Sequence, residues 1–226
     1  MSTLLTINVT NNSSQSDSFF FFQKPAIYTG GSAVYSNSIY QRQLKPYSIS
    51  GTKLTFQSNV QFYAGVQEAN TATPPVGASS GFESAIRPID LTSSGSTAAN
   101  ATIMTYDSST KELGLSQPTY QSGVPSGNFR IQTAKYSSPP TFFNAGSAVS
   151  VNGGVVLSNF VNALPQANID CQPILIFYVA IGNYVAGTVM NFTSLSQTSA
   201  VCDFTSGYTT ANVTYTNTGD WKVDMS

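Results

Sequence analysis

The stretch Val149-Ser150-Val151-Asn152-Gly153-Gly154-Val155-Val156 decides the fold class of this chain. Two segments rich in valine flank an Asn-Gly pair, and Asn-Gly readily supplies the positive φ angles that a type I′ turn requires. The stretch therefore predicts a tight hairpin of two antiparallel strands.

Three further hairpins are predicted from segments rich in β-branched and aromatic residues that are joined by short turns. They span residues 102–115 around Ser108-Ser109-Thr110, residues 174–192 around Gly182-Asn183, and residues 212–225 around Asn217-Thr218-Gly219. Hairpins at such short spacing are typical of antiparallel sheets that pack face to face.

The first half of the chain shows the same period of two. Leu5, Ile7 and Val9 alternate with polar residues, and residues 54–65 repeat the pattern. The sequence therefore predicts an all-β fold, an antiparallel β-sandwich of jelly-roll or Greek-key type, as a single domain over residues 1–226.

At most one short helix is expected in this fold. Leu157, Phe160, Val161 and Leu164 have helical spacing, and Pro165 would end such a helix. The alternative is a strand, because the segment follows the Asn152-Gly153 turn.

The composition predicts a polar but nearly neutral surface. The chain has 226 residues, of which 8% are charged and 87 are Ser, Thr, Asn or Gln, and its net charge is −1. A chain of this length can bury about 70% of its unfolded surface, so it can form a stable core without a disulfide or a metal ion. Weak charge repulsion favours self-association, and we expect a homo-oligomer or an ordered assembly.

Several classes of function are excluded or disfavoured. The chain has no histidine, which excludes Ser-His-Asp triads and histidine metal ligands. The nine Lys and Arg residues form no basic stripe, so nucleic acid is not expected as a partner. Neither G-x-G-x-x-G nor a P-loop occurs, and we expect no cofactor.

No convincing catalytic or metal constellation is visible. Gly77-Ala78-Ser79-Ser80-Gly81 matches G-x-S-x-G, but it follows Pro74-Pro75 and is read as a loop. The ten carboxylates are dispersed, although spacing alone does not exclude a facing pair of the kind that glycosidases use. The sequence thus predicts a non-enzymatic protein with no catalytic residues and no metal site.

The two cysteines, Cys171 and Cys202, each lie in an apolar strand candidate. Two buried free thiols are the simpler interpretation, and one disulfide between neighbouring strands is the alternative. The segment Met1-Ser2-Thr3-Leu4-Leu5 has no basic residue and is not a Sec signal as it stands. We therefore expect a cytoplasmic protein, or one released without such a signal.

The most unusual string is Phe19-Phe20-Phe21-Phe22. In a strand these side chains alternate between two faces, so both faces are apolar, as they are in residues 174–181. A central strand covered on both sides within the chain is one explanation. The favoured hypothesis is one face in the core and the other in a subunit interface, which makes these four residues interface candidates.

The turn Asn217-Thr218-Gly219-Asp220-Trp221 is the best candidate ligand site. An indole face can stack on a sugar ring while Asn217 and Asp220 bind its hydroxyl groups, so Trp221, Asn217 and Asp220 are predicted as ligand-binding residues. The alternative is that Trp221 fills the core at the start of the last strand.

Four functional hypotheses remain, of which the last is a hydrolase built on paired carboxylates. The first is a lectin-like, non-enzymatic binding protein, with carbohydrate as the expected ligand. The second is a self-assembling structural protein, such as a shell, fibre or inclusion component. The third is a membrane-active β protein, although the sequence makes a membrane an unexpected partner.

Overall fold

The computed structural model describes residues 3–95 and 97–226. Met1 and Ser2, which entered the argument about a leader sequence, lie outside that part of the chain, as does Ser96. The described residues form eighteen strands and two short helices. Their bounds are β1 (Leu4–Asn11), β2 (Asp17–Gln23), β3 (Ile27–Thr29), β4 (Val34–Leu44), α1 (Tyr47–Ser50), β5 (Leu54–Asn59), β6 (Tyr63–Ala69), β7 (Ser84–Pro88), β8 (Ala101–Tyr106), β9 (Leu113–Leu115), β10 (Phe129–Gln132), β11 (Phe142–Val151), β12 (Gly154–Ala163), β13 (Asn168–Gln172), β14 (Ile176–Ile181), β15 (Val189–Met190), α2 (Phe192–Ser196), β16 (Ala200–Asp203), β17 (Thr210–Tyr215) and β18 (Trp221–Met225).

The strands form one large sheet and one small sheet, which confirms the all-β, sandwich-like class. The large sheet has thirteen strands, with the order β16-β14-β2-β4-β12-β11-β5-β1-β17-β18, while β15 pairs with β4 and β6 joins β11 to β7. The small sheet has the order β3-β13-β10-β8-β9.

The structure differs from the expected all-antiparallel sandwich in two details. β1 pairs with β17 in parallel, and β8 pairs with β10 in parallel, so the sheets are mixed. There are two short helices instead of at most one. Among the described residues, no helix is long and apolar enough to cross a membrane.

Three of the four predicted hairpins are confirmed. β11 and β12 pair across Asn152 and Gly153, which have φ angles of 47° and 89°, as a type I′ turn demands. β8 pairs with β9, and β17 pairs with β18, both antiparallel.

The fourth hairpin, at Gly182-Asn183, is wrong. β14 already has β2 on one side and β16 on the other, so no free edge remains for the segment after it. The chain instead crosses to β4, where Val189 and Met190 pair as β15. Tyr184 packs on Phe20 along this crossing, with ring centroids 4.9 Å apart.

The segment with helical spacing is strand β12, and a β-bulge explains the spacing. The register between β11 and β12 shifts after Ser147, which leaves Ser158 unpaired. An extra residue in one strand moves the subsequent side chains to the opposite face. Leu157 and Phe160 therefore face the same cluster although they are three residues apart.

Two main hydrophobic cores share the long hairpin of β11 and β12. The first core contains Val149 and Val151 from the hairpin and is lined by β1, β2, β4, β5, β14, β16 and β17. The second core contains Phe143 and Val161 from the other end of the hairpin, and it lies against the small sheet. One pair of strands thus ties both cores together.

Polar side chains occupy the middle of that hairpin, between its two apolar ends. The single proton of the Ser158 hydroxyl is shared between two acceptors, Gln23 Oε1 at 2.8 Å and the Ser147 carbonyl at 3.0 Å. The Tyr28 hydroxyl donates to the Asn159 carbonyl at 2.7 Å. These partners satisfy polar groups that would otherwise be costly to bury.

The four phenylalanines of β2 are all completely buried within the chain. Phe19 and Phe21 face the first core. Phe20 and Phe22 face a smaller cluster that includes Met190, and α2 packs against it through Phe192 and Leu195. The prediction that one face of β2 forms a subunit contact is therefore corrected, because the chain itself supplies the third layer. The homo-oligomer remains a prediction that depends on the low net charge.

Candidate functional site

The predicted sugar platform, Trp221, packs against the first core. Its ring lies 6.1 Å from that of Phe19 and 4.7 Å from that of Tyr215, between ring centroids. Its indole Nε1 donates a hydrogen bond of 2.9 Å to the Thr198 carbonyl. The side chain is half-buried, and these contacts correspond to the alternative in which Trp221 fills the edge of the core.

Asp220 and Asn217, the predicted polar partners of Trp221, have different surroundings from the indole. Asp220 Oδ2 accepts a hydrogen bond of 2.7 Å from the Thr218 hydroxyl, so the carboxylate serves the turn itself. Asn217 lines a depression of about 340 Å³, whereas Trp221 lines a separate one of about 150 Å³. The three predicted ligand-binding residues are therefore close in sequence but are not brought into one depression.

We expect Trp221→Ala to lower the free energy of unfolding by about 2–3 kcal/mol, somewhat less than for a fully buried tryptophan, because the ring is only half-buried. Urea denaturation measures this directly. The exposed neighbour Asn217→Ala is the control and should stay within about 0.5 kcal/mol of the wild type. Equal stability of the two variants would contradict the core-packing role.

The cysteines are both free and buried, in different cores. Burial raises the pKa of Cys202 to about 12, and it raises the pKa of Cys171 as well. Both thiols are thus protonated near neutral pH, where a reactive cysteine would need to be a thiolate. The described residues also hold no group of three or more Cys, Asp or Glu side chains that could bind a metal ion.

The G-x-S-x-G segment is a loop, as predicted. The Ser79 hydroxyl donates a hydrogen bond of 2.8 Å to the Gly81 carbonyl. The Ser80 hydroxyl donates to Gln67 Oε1 at 2.8 Å and accepts from Asn37 Nδ2 at 2.9 Å. Both hydroxyl groups therefore serve the local structure.

A depression of about 640 Å³ lies between the end of β4 and the start of β5. We call it the cationic groove because three of the nine Lys and Arg residues line it, namely Arg42, Lys45 and Lys53. Its other lining residues are mostly neutral and polar or aromatic: Tyr40, Gln43, Leu44, Thr52, Leu54, Thr55 and Asn152.

The groove depends on strands that are not neighbours. In the sheet, β12 and β11 lie between β4 and β5, and the turn of that hairpin contributes Asn152 to the lining. Asn152 is fixed there because its Oδ1 accepts a hydrogen bond of 3.2 Å from the Gln57 backbone N–H. The loop that joins β4 to β5 carries Lys45 at one end and Lys53 at the other.

The three cations of the groove are exposed and have no carboxylate partner among the residues that the structure describes. In residues 3–95 and 97–226, the ion pair within 4.0 Å is that of Arg130 with Asp170, in the small sheet. Asp17, whose Cα pairs with that of Leu44, accepts a hydrogen bond of 3.1 Å from the Ser13 hydroxyl. The groove therefore presents uncompensated positive charge to solvent.

This site was not predicted, because the nine Lys and Arg residues form no basic stripe in the sequence. Arg42 and Lys45 are three residues apart, and Lys53 comes after a turn that contains Pro46 and Gly51. Two cations that flank a turn between strands were a usable signal. The contribution of Asn152, about a hundred residues away, was not visible in the sequence.

A comparison with protein families, curated proteins and solved structures gives one match. The model of the family described as RhiA matches residues 2–226, almost the whole chain. No curated protein and no solved structure matches. The chain therefore belongs to the RhiA family.

Proposed function

We propose that this protein is a non-enzymatic binding protein that holds an acidic carbohydrate in the cationic groove. The observation that carries the proposal is the cluster of Arg42, Lys45 and Lys53 in one depression of a chain with few charges. Its volume, about 640 Å³, is within the usual range for small-ligand sites.

The chemistry of the lining suits a ligand that carries both acidic groups and hydroxyl groups. An arginine such as Arg42 can bind a carboxylate or sulfate with two parallel hydrogen bonds, and lysines add point charges. Thr52, Thr55, Gln43 and Asn152 are neutral groups that can exchange hydrogen bonds with sugar hydroxyls.

Binding without catalysis is supported by the same lining. Hydrolysis of a glycosidic bond usually needs two carboxyl groups that face each other across the sugar. Within the described part of the chain, the groove is lined by no aspartate or glutamate. An acidic ligand would also be repelled by such a pair.

We expect Lys45→Glu/Lys53→Glu to weaken binding of an acidic oligosaccharide by about tenfold or more, because hydrogen bonds to charged groups contribute roughly 1.5–3 kcal/mol. Calorimetric titration with oligogalacturonate and with a sulfated oligosaccharide measures this. A neutral oligosaccharide of similar length tests the need for charge, and raised salt should weaken binding of the acidic ligands.

Lys135→Glu/Lys222→Glu is the matched control, because both lysines are exposed and lie outside the groove. It should bind like the wild type. Equal loss in this variant would show a general charge effect, and unchanged binding in the double variant would place the ligand elsewhere. Either result would refute the proposed groove.

A further inference from the structure

The loop between β4 and β5 contains the short helix α1, which carries exposed apolar side chains. In α1, Tyr47 is 40% exposed and Ile49 is 76% exposed, and the helix has no buried residue. Single exposed apolar residues are ordinary on protein surfaces. Here the two belong to one four-residue helical turn in the loop that joins β4 to β5, which we call the α1 tip.

The conformation of the loop holds these side chains outward. The Gly51 N–H donates a hydrogen bond of 2.8 Å to the Tyr47 carbonyl, and the Ser50 N–H donates one of 3.0 Å to the Pro46 carbonyl. Gly51 closes the helix with a φ of 62°, in the left-handed region that favours glycine. The exposure of the tip is therefore built into an ordered turn.

Lysines flank the α1 tip in the chain. Lys45 and Lys53 bracket it in the chain, and both line the cationic groove beside it. The wider segment 18–67 contains four Lys or Arg residues and no Asp or Glu, although acids outnumber bases in the chain as a whole. Although Asp17 pairs with Leu44 at the end of β4, the exposed apolar residues with a lysine on each side in the chain fit a partner that is both apolar and anionic.

We propose that the α1 tip docks on the surface of an anionic lipid bilayer. Tyr47 and Ile49 enter the boundary between headgroups and acyl chains, while Lys45, Lys53 and Arg42 contact the phosphates or carboxylates of the headgroups. Tyrosine is well suited to this position, because its ring is apolar and its hydroxyl is polar. The inference goes beyond the proposed function, since it assigns to the same cations the anionic headgroups that a membrane displays.

Other occupants fit less well. A second copy placed with its tip against this one would bring two acid-free basic segments together, and like charges would repel. A stable protein partner usually covers about 800 Å² on each side, and a tip of four residues offers far less. A lipid surface needs no complementary cavity.

The test is flotation of the full chain with phosphatidylcholine vesicles, with and without phosphatidylserine. We expect binding that requires phosphatidylserine and falls with salt. Ile49→Asp should weaken it by about tenfold or more, since it removes an inserted aliphatic side chain and adds a charge. Lys45→Glu/Lys53→Glu should weaken it by at least about fivefold for each lysine.

Ile103→Asp is the matched control, because Ile103 is 50% exposed and lies in the small sheet. It should float like the wild type. No vesicle binding, equal binding without phosphatidylserine, or unchanged binding of Ile49→Asp would overturn the membrane inference. Self-association that Ile49→Asp abolishes, with no vesicle binding, would identify the tip as a contact between copies and would also overturn it.

The same variant separates this inference from the proposed function. Ile49 does not line the groove, so Ile49→Asp should bind soluble oligogalacturonate like the wild type. Oligosaccharide binding without vesicle binding would leave the proposed function intact and refute the membrane inference. Vesicle binding that depends on Ile49, without oligosaccharide binding, would support the membrane inference and refute the proposed function.

Discussion

Replacement of Phe21 by alanine should lower the free energy of unfolding by about 3–5 kcal/mol, the range measured for large aromatic residues in cores. The side chain is completely buried in the first core. Its ring stacks on that of Phe56 with centroids 4.6 Å apart, and the ring of Tyr40 lies 5.9 Å away. Because β2 lies between β14 and β4, the cavity cannot close without moving the centre of the sheet.

Phe82→Ala is the matched control, because Phe82 is 61% exposed. It should change the stability by no more than about 0.5 kcal/mol. Thermal unfolding should show a fall of about 6–20 °C for Phe21→Ala, at roughly 2–4 °C per kcal/mol. A loss below about 1 kcal/mol for Phe21→Ala would mean that β2 is not a tightly packed centre of the large sheet.

The all-β class could be predicted because local patterns carry it. The Asn152-Gly153 turn and the alternation in β1 and β5 are properties of neighbouring residues, and the structure keeps both. Short turns fix which strands pair when those strands are adjacent in the chain. The parallel pairing of β1 with β17 joins opposite ends of the chain, so no pattern among neighbouring residues could predict it.

The wrongly predicted hairpin at Gly182-Asn183 and the helical spacing within β12 both have identifiable physical causes. The bulge at Ser158 breaks the period of two within β12, so that Leu157 and Phe160 acquire helical spacing in a strand. At Gly182 the chain does turn away from β14, but both edges of that strand are already paired. Sequence alone shows a turn, but it does not show whether the edge of a strand is free to pair with the next segment of the chain.

The sequence alone does not show whether the four phenylalanines of β2 lie in the interior of the chain or in a subunit interface. An apolar face predicts that something covers it, and the cover here is α2 with Met190, some 170 residues further along the chain. The cationic groove escaped prediction for the same reason, since it is assembled from β4, β5 and the turn of a hairpin that lies between them. In both cases the missing information was the order of strands that are distant in sequence.

The ion pair of Arg130 with Asp170 is the other place where one substitution should have a large effect. The two residues face each other across β10 and β13. Arg130 Nε donates to Asp170 Oδ1 at 2.6 Å, and Arg130 Nη2 donates to Oδ2 at 2.8 Å. Hydrogen bonding to the carboxylate raises the pKa of Arg130 above its usual value. The side chains are only 14% and 8% exposed, so this bidentate pair has little access to water.

Arg130→Met should therefore cost about 3–5 kcal/mol, because it leaves the Asp170 carboxylate buried without its partner. The double variant Arg130→Met/Asp170→Leu should recover much of that loss, since replacing a buried pair by apolar residues removes the unpaired charge as well. Arg42→Met is the matched control, because Arg42 is exposed and forms no ion pair with a described carboxylate, and it should stay within about 0.5 kcal/mol of the wild type. If the double variant were as unstable as the single one, the cost would come from lost packing of the arginine stem against the small sheet and not from the stranded charge.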